Sequence, residues 1–182
     1  MRRRQIVSLV VALSFALALG ACGSSDKEEP AASVQTLPPG TPEFAPRPDN
    51  TMDLAAEAGL VIDSSEHLDD HEHAMLQITV DGEPAVVPAN IGVGETTISE
   101  LHTHDTSGTL HLEAGEEITD DTFNLGQFFD TWDVTLDENC VGEHCKPDAT
   151  VTVTVDGAAY TGNPRDIALR DGVNIQIAIT TA

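Results

Sequence analysis

Basic residues are scarce in this chain. Eight Lys and Arg stand against 31 Asp and Glu among 182 residues, which gives a formal net charge of −23. A field of this sign repels phosphate and attracts cations, so the charge argues against nucleic acid and bare anionic lipid as partners. Acidic surfaces also keep proteins soluble in salty habitats, so cation recruitment and a saline habitat both remain open as causes.

Long apolar runs are also scarce, and the clearest one lies at the N-terminus. Residues 6–19 are uncharged, follow three arginines and lead into the sequence GAC. This order is typical of a signal peptide, and the small residues before Cys22 resemble the lipobox of bacterial lipoproteins. An uncleaved membrane helix is the alternative, although the run is shorter than the roughly 20 residues of a span. We expect residues 1–21 to be removed and Cys22 to be lipidated, anchoring the chain at the outer face of the cytoplasmic membrane.

Cysteine is the third scarce residue, with three in the chain. Once Cys22 is assigned to lipid, Cys140 and Cys145 remain, in the sequence NCVGEHC. Thiols oxidise outside the membrane, so these two are expected to form a local disulfide. The alternative uses them with His144 as metal ligands, which requires a reducing setting that export argues against.

Composition divides the mature chain into a linker and one domain. Residues 22–50 contain six of the ten prolines and almost no large apolar residues. They cannot bury enough surface to offset their ordering entropy, so we expect a lipid-anchored disordered linker. Residues 51–182 have an ordinary length for a single domain. Thr51 is expected to cap a short helix that ends near Gly59.

Alternating apolar and polar residues dominate that domain. ITVDG (residues 78–82) and VTVTVDG (residues 151–157) each place Asp-Gly after a strand-like run, which predicts two related hairpins. The alternative is that these residue types simply recur in β proteins. Residues 173–179 alternate again and predict a closing strand. We therefore expect a mainly β fold, an antiparallel β-sandwich or small barrel with one or two short helices.

One segment has helical spacing instead. In TFNLGQFFDTW, four large apolar residues lie at positions i, i+3, i+4 and i+7, which is one face of an α-helix. These residues are Leu125, Phe128, Phe129 and Trp132. A stripe of this kind is typical of a core-covering helix rather than of a cofactor site.

Histidine is strongly clustered, because six of the seven fall within 45 residues. These six are His67, His71, His73, His102, His104 and His111. In LHTHDTSGTLHLE, two alternating segments flank the turn signal DTSG. A two- or four-residue turn places His102 opposite His111, whereas a three-residue loop ending at Gly108 would pair Thr103 with His111. In the first case one face of the hairpin carries His102, His104, His111 and Glu113.

Clustered imidazoles favour a bound metal. Without one, the rings must stay neutral and find partners, or become charged and repel one another. Imidazole with carboxylate suits Zn, Cu(II), Ni or Fe(II), and we expect Zn or Cu. The first-choice ligands are His102, His104 and His111, followed by His71 and His73. The carboxylates expected to orient the rings are Glu113, Asp105, Asp70 and Glu72. The alternative is a set of exposed or turn histidines without a metal.

These motifs together resemble a family of bacterial exported proteins and lipoproteins. The similarity is carried by HEHAMLQITVDGEPAVVPANIGV, LHTHDTSGTLHLE, LGQFFDTW, NCVGEHC and VDGAAYTGNPRDIAL, which cover most of residues 71–170. The resemblance implies one compact domain that holds these motifs together, and it implies no activity. The HTH segment is also similar to the start of the cupin metal motif. The glutamate that cupins place a few residues later is absent, since the next acid beyond Asp105 is Glu113.

Three functions fit these patterns. The leading hypothesis is a membrane-anchored lipoprotein that buffers, senses or carries Zn or Cu, with an affinity that falls below about pH 6 to 6.5 because ligation needs neutral imidazole. The second is a metal-dependent hydrolase or oxygenase-like enzyme at the same site, because three protein ligands leave an open position. No serine nucleophile motif, HExxH or phosphate loop accompanies it. The third is a metal-independent envelope interaction module.

Overall fold

The computed structural model describes residues 40–66 and 70–182. Cys22, the predicted signal peptide, most of the predicted linker and His67 lie outside these residues. The helices are α1 (Thr51–Glu57) and α2 (Leu125–Thr131), with a 3-10 turn at Pro164–Asp166. The strands are β1 (Ile62–Asp63), β2 (Asp70–Val80), β3 (Glu83–Ala85), β4 (Ile98–Ser99), β5 (Leu101–His102), β6 (Thr109–Ala114), β7 (Phe123–Asn124), β8 (Cys140–Val141), β9 (His144–Cys145), β10 (Ala149–Val155), β11 (Ala158–Tyr160), β12 (Ala168–Leu169) and β13 (Asn174–Thr181).

The main sheet has seven strands in the order β11-β10-β13-β2-β6-β5, with β3 paired to β2. The prediction of a mainly β fold is confirmed. The sheet is mixed rather than antiparallel, because the C-terminal strand β13 enters between β10 and β2 and runs parallel to β2. Within the described residues the sheet does not close into a barrel, since β11 and β5 are its two edges.

One face of this sheet builds the core. Along β2 the buried residues alternate with half-buried ones, so Leu76 and Ile78 point inward while Met75 and Gln77 point outward. Each large apolar side chain that is fully removed from water contributes about 1.5 to 3 kcal/mol. The helix α2 adds Phe128 to the same core, together with Phe129 and Trp132. The prediction of a core-covering helix is therefore confirmed.

Local sequence signals explain how these elements begin and turn. The side chain of Asn124 accepts the amide of Gln127, and the side chain of Gln127 accepts the amide of Asn124, which is a capping box at the start of α2. Both predicted Asp-Gly turns join adjacent strands. They work because Asp81 and Asp156, like the glycines after them, have positive φ values, as a two-residue hairpin turn requires. The closing strand β13 is also confirmed.

The first helix differs from its prediction at its N-terminus. Asn50 precedes α1, and Thr51 is its first helical residue rather than its cap. The Thr51 hydroxyl is fully buried, donates to the carbonyl of Thr131 at 3.1 Å and accepts the amide of Gly92 at 2.8 Å. Thr51 therefore ties α1 to α2 and to the loop that backs β5.

The end of the predicted linker lies against the domain. The amide of Phe44 donates to Val86, and the amide of Val86 donates to Pro42. The indole of Trp132 donates to the carbonyl of Ala45 at 3.3 Å. The entropy cost of ordering residues 42–45 is thus offset by backbone pairing and by the contact of Phe44 with Trp132. Composition alone does not reveal these contacts. In residues 40–66 and 70–182 no helix is long and apolar enough to cross a bilayer.

Candidate metal centre

Three neighbouring strands bring the histidines together on the outer face of the sheet. Strand β6 lies between β2 and β5 and places His111 opposite His73 on one side and His102 on the other. One row further, His71 stands opposite Glu113. Alternate residues of a strand share a face, so these five side chains project to the same side.

The turn between β5 and β6 gives the strand pairing that this arrangement requires. His102 pairs with His111, and the alternative pairing of Thr103 with His111 is excluded. The ladder ends there, and His104 lies in the loop beyond β5. Its ring centroid is nevertheless 4.6 Å from that of His102 and 4.5 Å from that of His111. The three first-choice ligands are therefore brought together.

The loop of residues 88–91 forms hydrogen bonds with the chain directly after the edge strand β5. The amide of Thr103 donates to Ile91, and the amide of Asn90 donates to Thr103. The Thr103 hydroxyl, which is fully buried, donates to Pro88 and accepts the amide of Ile91. The loop thus replaces a further strand, covers an otherwise open edge and fixes the histidines on either side of Thr103.

His102 is fully buried and its ring orientation is defined. Its Nδ1 lies 2.8 Å from the carbonyl oxygen of Ser99, and because a carbonyl only accepts, Nδ1 carries the proton. In the neutral ring Nε2 then presents a lone pair to the cluster. This Nε2 is 3.1 Å from Nε2 of His104 and 3.8 Å from Oε1 of Glu113.

A second group of rings lies across β6. Nε2 of His71 is 3.2 Å from Nδ1 of His111 and 3.6 Å from Oε1 of Glu113. The ring of His73 lies 4.6 Å from that of His71 and 4.7 Å from that of His111, measured between centroids. His71 and His73, the second-choice ligands, thus reach the same cluster.

The environment keeps two of the rings neutral. Burial lowers the pKa of His102 to about 4; the bond to Ser99 opposes this shift and the neighbouring histidines add to it. Burial, reinforced by the adjacent rings, lowers the pKa of His111 to about 3. Both rings therefore offer lone pairs at neutral pH. Protons therefore compete with a metal for these two lone pairs only well below pH 6 to 6.5, the range expected for histidines with an ordinary pKa.

Among residues 40–66 and 70–182, three sets of side chains have ligand atoms that lie within 4.8 Å of one another. They are His71, His73 and His111; His102, His104 and His111; and Glu66, His102 and Glu113. Sequence reasoning missed Glu66, whose Oε1 is 3.0 Å from Nε2 of His104. Glu66 belongs to no strand, so the alternation of side chains along a strand does not predict where it points. Its position in the sequence next to the histidine-rich run was the only indication of a role.

The structure brings one of the four predicted carboxylates, Glu113, among the rings. Asp70 alternates with the histidines along β2 and therefore points to the opposite face of the sheet. There it accepts the amide of Ile118 at 2.6 Å. For the same reason Glu72 accepts the amide of Asp171 at 2.8 Å.

Asp105 has a structural role in the turn. Its Oδ1 accepts the amide of Ser107 at 2.8 Å, and bonds from the Ser107 side chain and amide lower the pKa of Asp105. This Asx turn shapes the hairpin, so Asp105 acts on the position of the rings rather than on a ring nitrogen.

The predicted disulfide is present. Cys140 and Cys145 are bonded across the β8–β9 hairpin. Their sulfurs are therefore not thiolate ligands, and the alternative metal site with His144 is excluded in this state. The ring of His144 lies 5.9 Å from that of Phe44.

Comparison with known proteins adds no assignment, because no family model, curated protein or solved structure matches this chain. The function therefore has to be argued from the geometry and chemistry of the histidine cluster.

Proposed function

We propose that this protein binds a divalent transition metal, Zn or Cu, through the histidine cluster. It acts as a lipid-anchored buffer, sensor or carrier outside the cytoplasmic membrane. The cluster has five imidazoles and two carboxylates, the donor types that these ions prefer over the oxygen-only sets of Mg or Ca. The surplus of acidic residues attracts cations towards the site.

The observation that carries the proposal is the bond between His102 and Ser99. Metal-bound histidines almost always donate their other ring nitrogen to a carbonyl or carboxylate, which fixes the tautomer and aims the lone pair. His102 has this arrangement in full, since Nδ1 is bound to Ser99 and Nε2 faces His104 and Glu113. A buried nitrogen lone pair and a buried carboxylate that face each other are stabilised when a cation lies between them.

The proposed location rests on the N-terminal sequence and on the disulfide. Three arginines, an uncharged apolar run and Cys22 form the lipoprotein pattern described above. The Cys140–Cys145 bond supports an oxidising compartment, because cytosolic thiols are kept reduced.

Metal analysis of the full-length chain tests the binding. The protein is purified in mild detergent without a polyhistidine tag, stripped with a chelator and titrated with Zn and with Cu(II). We expect stoichiometric binding that a His102→Ala/His111→Ala variant loses and a His144→Ala variant retains. Equal binding by the double variant and the wild type would refute the proposal.

A second measurement tests the anchor. Cys22→Ser should abolish lipid attachment, measured by mass spectrometry as the loss of the lipid mass. Metal binding should be unchanged, because Cys22 belongs to the anchor and not to the cluster. A Cys22→Ser protein with the same lipid mass as the wild type would rule out lipidation at this residue.

A further inference from the structure

We infer that the cluster holds two ions, one on each side of strand β6, with the Glu113 carboxylate between them. This inference rests on the proposed metal binding and specifies its stoichiometry. Seven side chains supply donors, whereas a tetrahedral ion takes four ligands. One ion would therefore leave a substantial part of the donor set unused.

The nitrogen separations give two short pairs, one on each side of β6. A tetrahedral ion with metal–nitrogen bonds of 2.0 to 2.1 Å holds its ligand nitrogens about 3.3 Å apart. On the β2 side of the cluster, His71 Nε2 and His111 Nδ1 are 3.2 Å apart. On the β5 side, Nε2 of His102 and Nε2 of His104 are 3.1 Å apart. Each pair already matches one edge of a coordination tetrahedron.

Each pair has a further ligand of its own. His73 has a donor atom within 4.8 Å of those of His71 and His111, which completes a three-histidine set on the β2 side. On the β5 side, Glu66 Oε1 is 3.0 Å from Nε2 of His104. We therefore assign His71, His73 and His111 to the first centre. We assign His102, His104 and Glu66 to the second, because Glu66 also has a donor atom within 4.8 Å of those of His102 and Glu113.

Glu113 is placed to serve both centres. Its Oε1 is 3.6 Å from Nε2 of His71 and 3.8 Å from Nε2 of His102, so one oxygen faces both sets. The side chain is 2% exposed, and a carboxylate at this depth is stabilised by positive charge close to it. A bridging carboxylate also reduces the repulsion between two dications. Glu113 would complete four ligands at each centre.

Metal stoichiometry tests this directly. The full-length, untagged protein is loaded with Cu(II), passed through a desalting column and assayed for metal per chain. We expect two ions for the wild type and for the control variant His144→Ala. His73→Ala and His104→Ala, which change one centre each at partly exposed rings, should each bind one. Circular dichroism verifies that both variants remain folded.

Magnetic coupling tests the bridge. Two Cu(II) ions that share a carboxylate couple, so the doubly loaded wild type should show a weak or broadened EPR signal. His73→Ala and His104→Ala should each show the full signal of an isolated ion. Glu113→Gln, which removes the charged bridging group, should reduce the coupling or lose the second ion.

The outcomes separate this inference from the proposed function. One ion in the wild type, abolished by His102→Ala/His111→Ala, would support metal binding and overturn the two-ion centre. Two ions with uncoupled signals in the wild type would overturn the bridge. Zero ions would overturn the proposed function and this inference together.

Discussion

His73 and His102 lie on strands that do not pair with each other, yet both stand opposite His111. The three rings form one row across β2, β6 and β5, and the centroid of the His111 ring is 4.7 Å from that of His73 and 5.2 Å from that of His102. Because β6 supplies the middle of this row, a shift of its register by one residue would turn His111 into the core and dismantle the cluster.

Gly108 fixes that register, and its replacement should show it. Gly108 has a φ of 84°, and an added Cβ would collide with the carbonyl oxygen of Leu76, whose amide donates to Gly108. A left-handed conformation alone costs a residue with a Cβ roughly 1 to 2 kcal/mol. We expect Gly108→Ala to lower the free energy of unfolding by more than this amount, because the collision with Leu76 adds to it. Zn affinity should fall as well, because β6 carries His111. Urea unfolding and Zn titration measure the two effects.

Gly157 provides the matched control. Its φ of 78° is similar, but nothing lies within 4 Å of an added Cβ. Gly157→Ala should therefore show the conformational cost alone and unchanged Zn affinity. Equal destabilisation by the two substitutions would contradict a role for the Leu76 contact.

Sequence reasoning reached most of the histidine cluster because that part is governed by local rules. The spacing of His102 and His111 around a short turn limits the hairpin to two registers, one of which pairs them, and the period of two then assigns both rings to one face. Glu66 was missed because a loop positions it. The carboxylates Asp70 and Glu72 were misplaced although alternation assigns them to the face opposite His71 and His73.

The parallel pairing of β13 with β2 and the attachment of residues 42–45 were also not predicted. Both depend on contacts between segments far apart in sequence. The alternating pattern of β13 specifies which side chains face the core, but it does not specify the neighbouring strand or its direction. Likewise, Phe44 lies in a proline-rich segment, and its contact with Trp132 bridges 88 residues.

The capping box of α2 gives a second prediction. Asn124→Ala removes the side chain that accepts the amide of Gln127, so we expect a loss of about 1 kcal/mol in the free energy of unfolding. Asn124→Asp should retain most of the stability, because a carboxylate accepts the same bond. Thermal denaturation of the three proteins checks this. An Asn124→Asp protein as unstable as Asn124→Ala would argue against the cap.

Removal of the disulfide should leave metal binding intact. In Cys140→Ser/Cys145→Ser the crosslink is lost, and we expect a destabilisation on the order of 2 kcal/mol for so short a loop. The metal stoichiometry should match that of the wild type, because the proposed ligands lie on β2, β5, β6 and the adjoining loops. A decrease in bound metal would instead favour ligands in the NCVGEHC segment.

Acid should destabilise the metal-free protein through His102. Its pKa is about 4 in the fold and about 6.5 in an unfolded chain, so the unfolded state binds the proton first. A group with a lowered pKa gives its full stabilisation above the unfolded value and loses it as the pH falls towards the folded value. For this fully buried ring, the loss between pH 6.5 and pH 4 is on the order of 3 kcal/mol.

Urea unfolding of chelator-treated protein from pH 7.5 to pH 4.5 measures this effect. Carboxylates also titrate at the acidic end, so the diagnostic quantity is the difference in slope between proteins. His102→Leu should show a shallower fall in unfolding free energy below pH 6.5, because it lacks the titrating ring, whereas His144→Leu should keep the wild-type slope. If His102→Leu and the wild type lost stability in parallel, the buried neutral imidazole would not be the source of the acid sensitivity. A neutral His102 in the metal-free fold is also what lets a cation bind there without first displacing a proton.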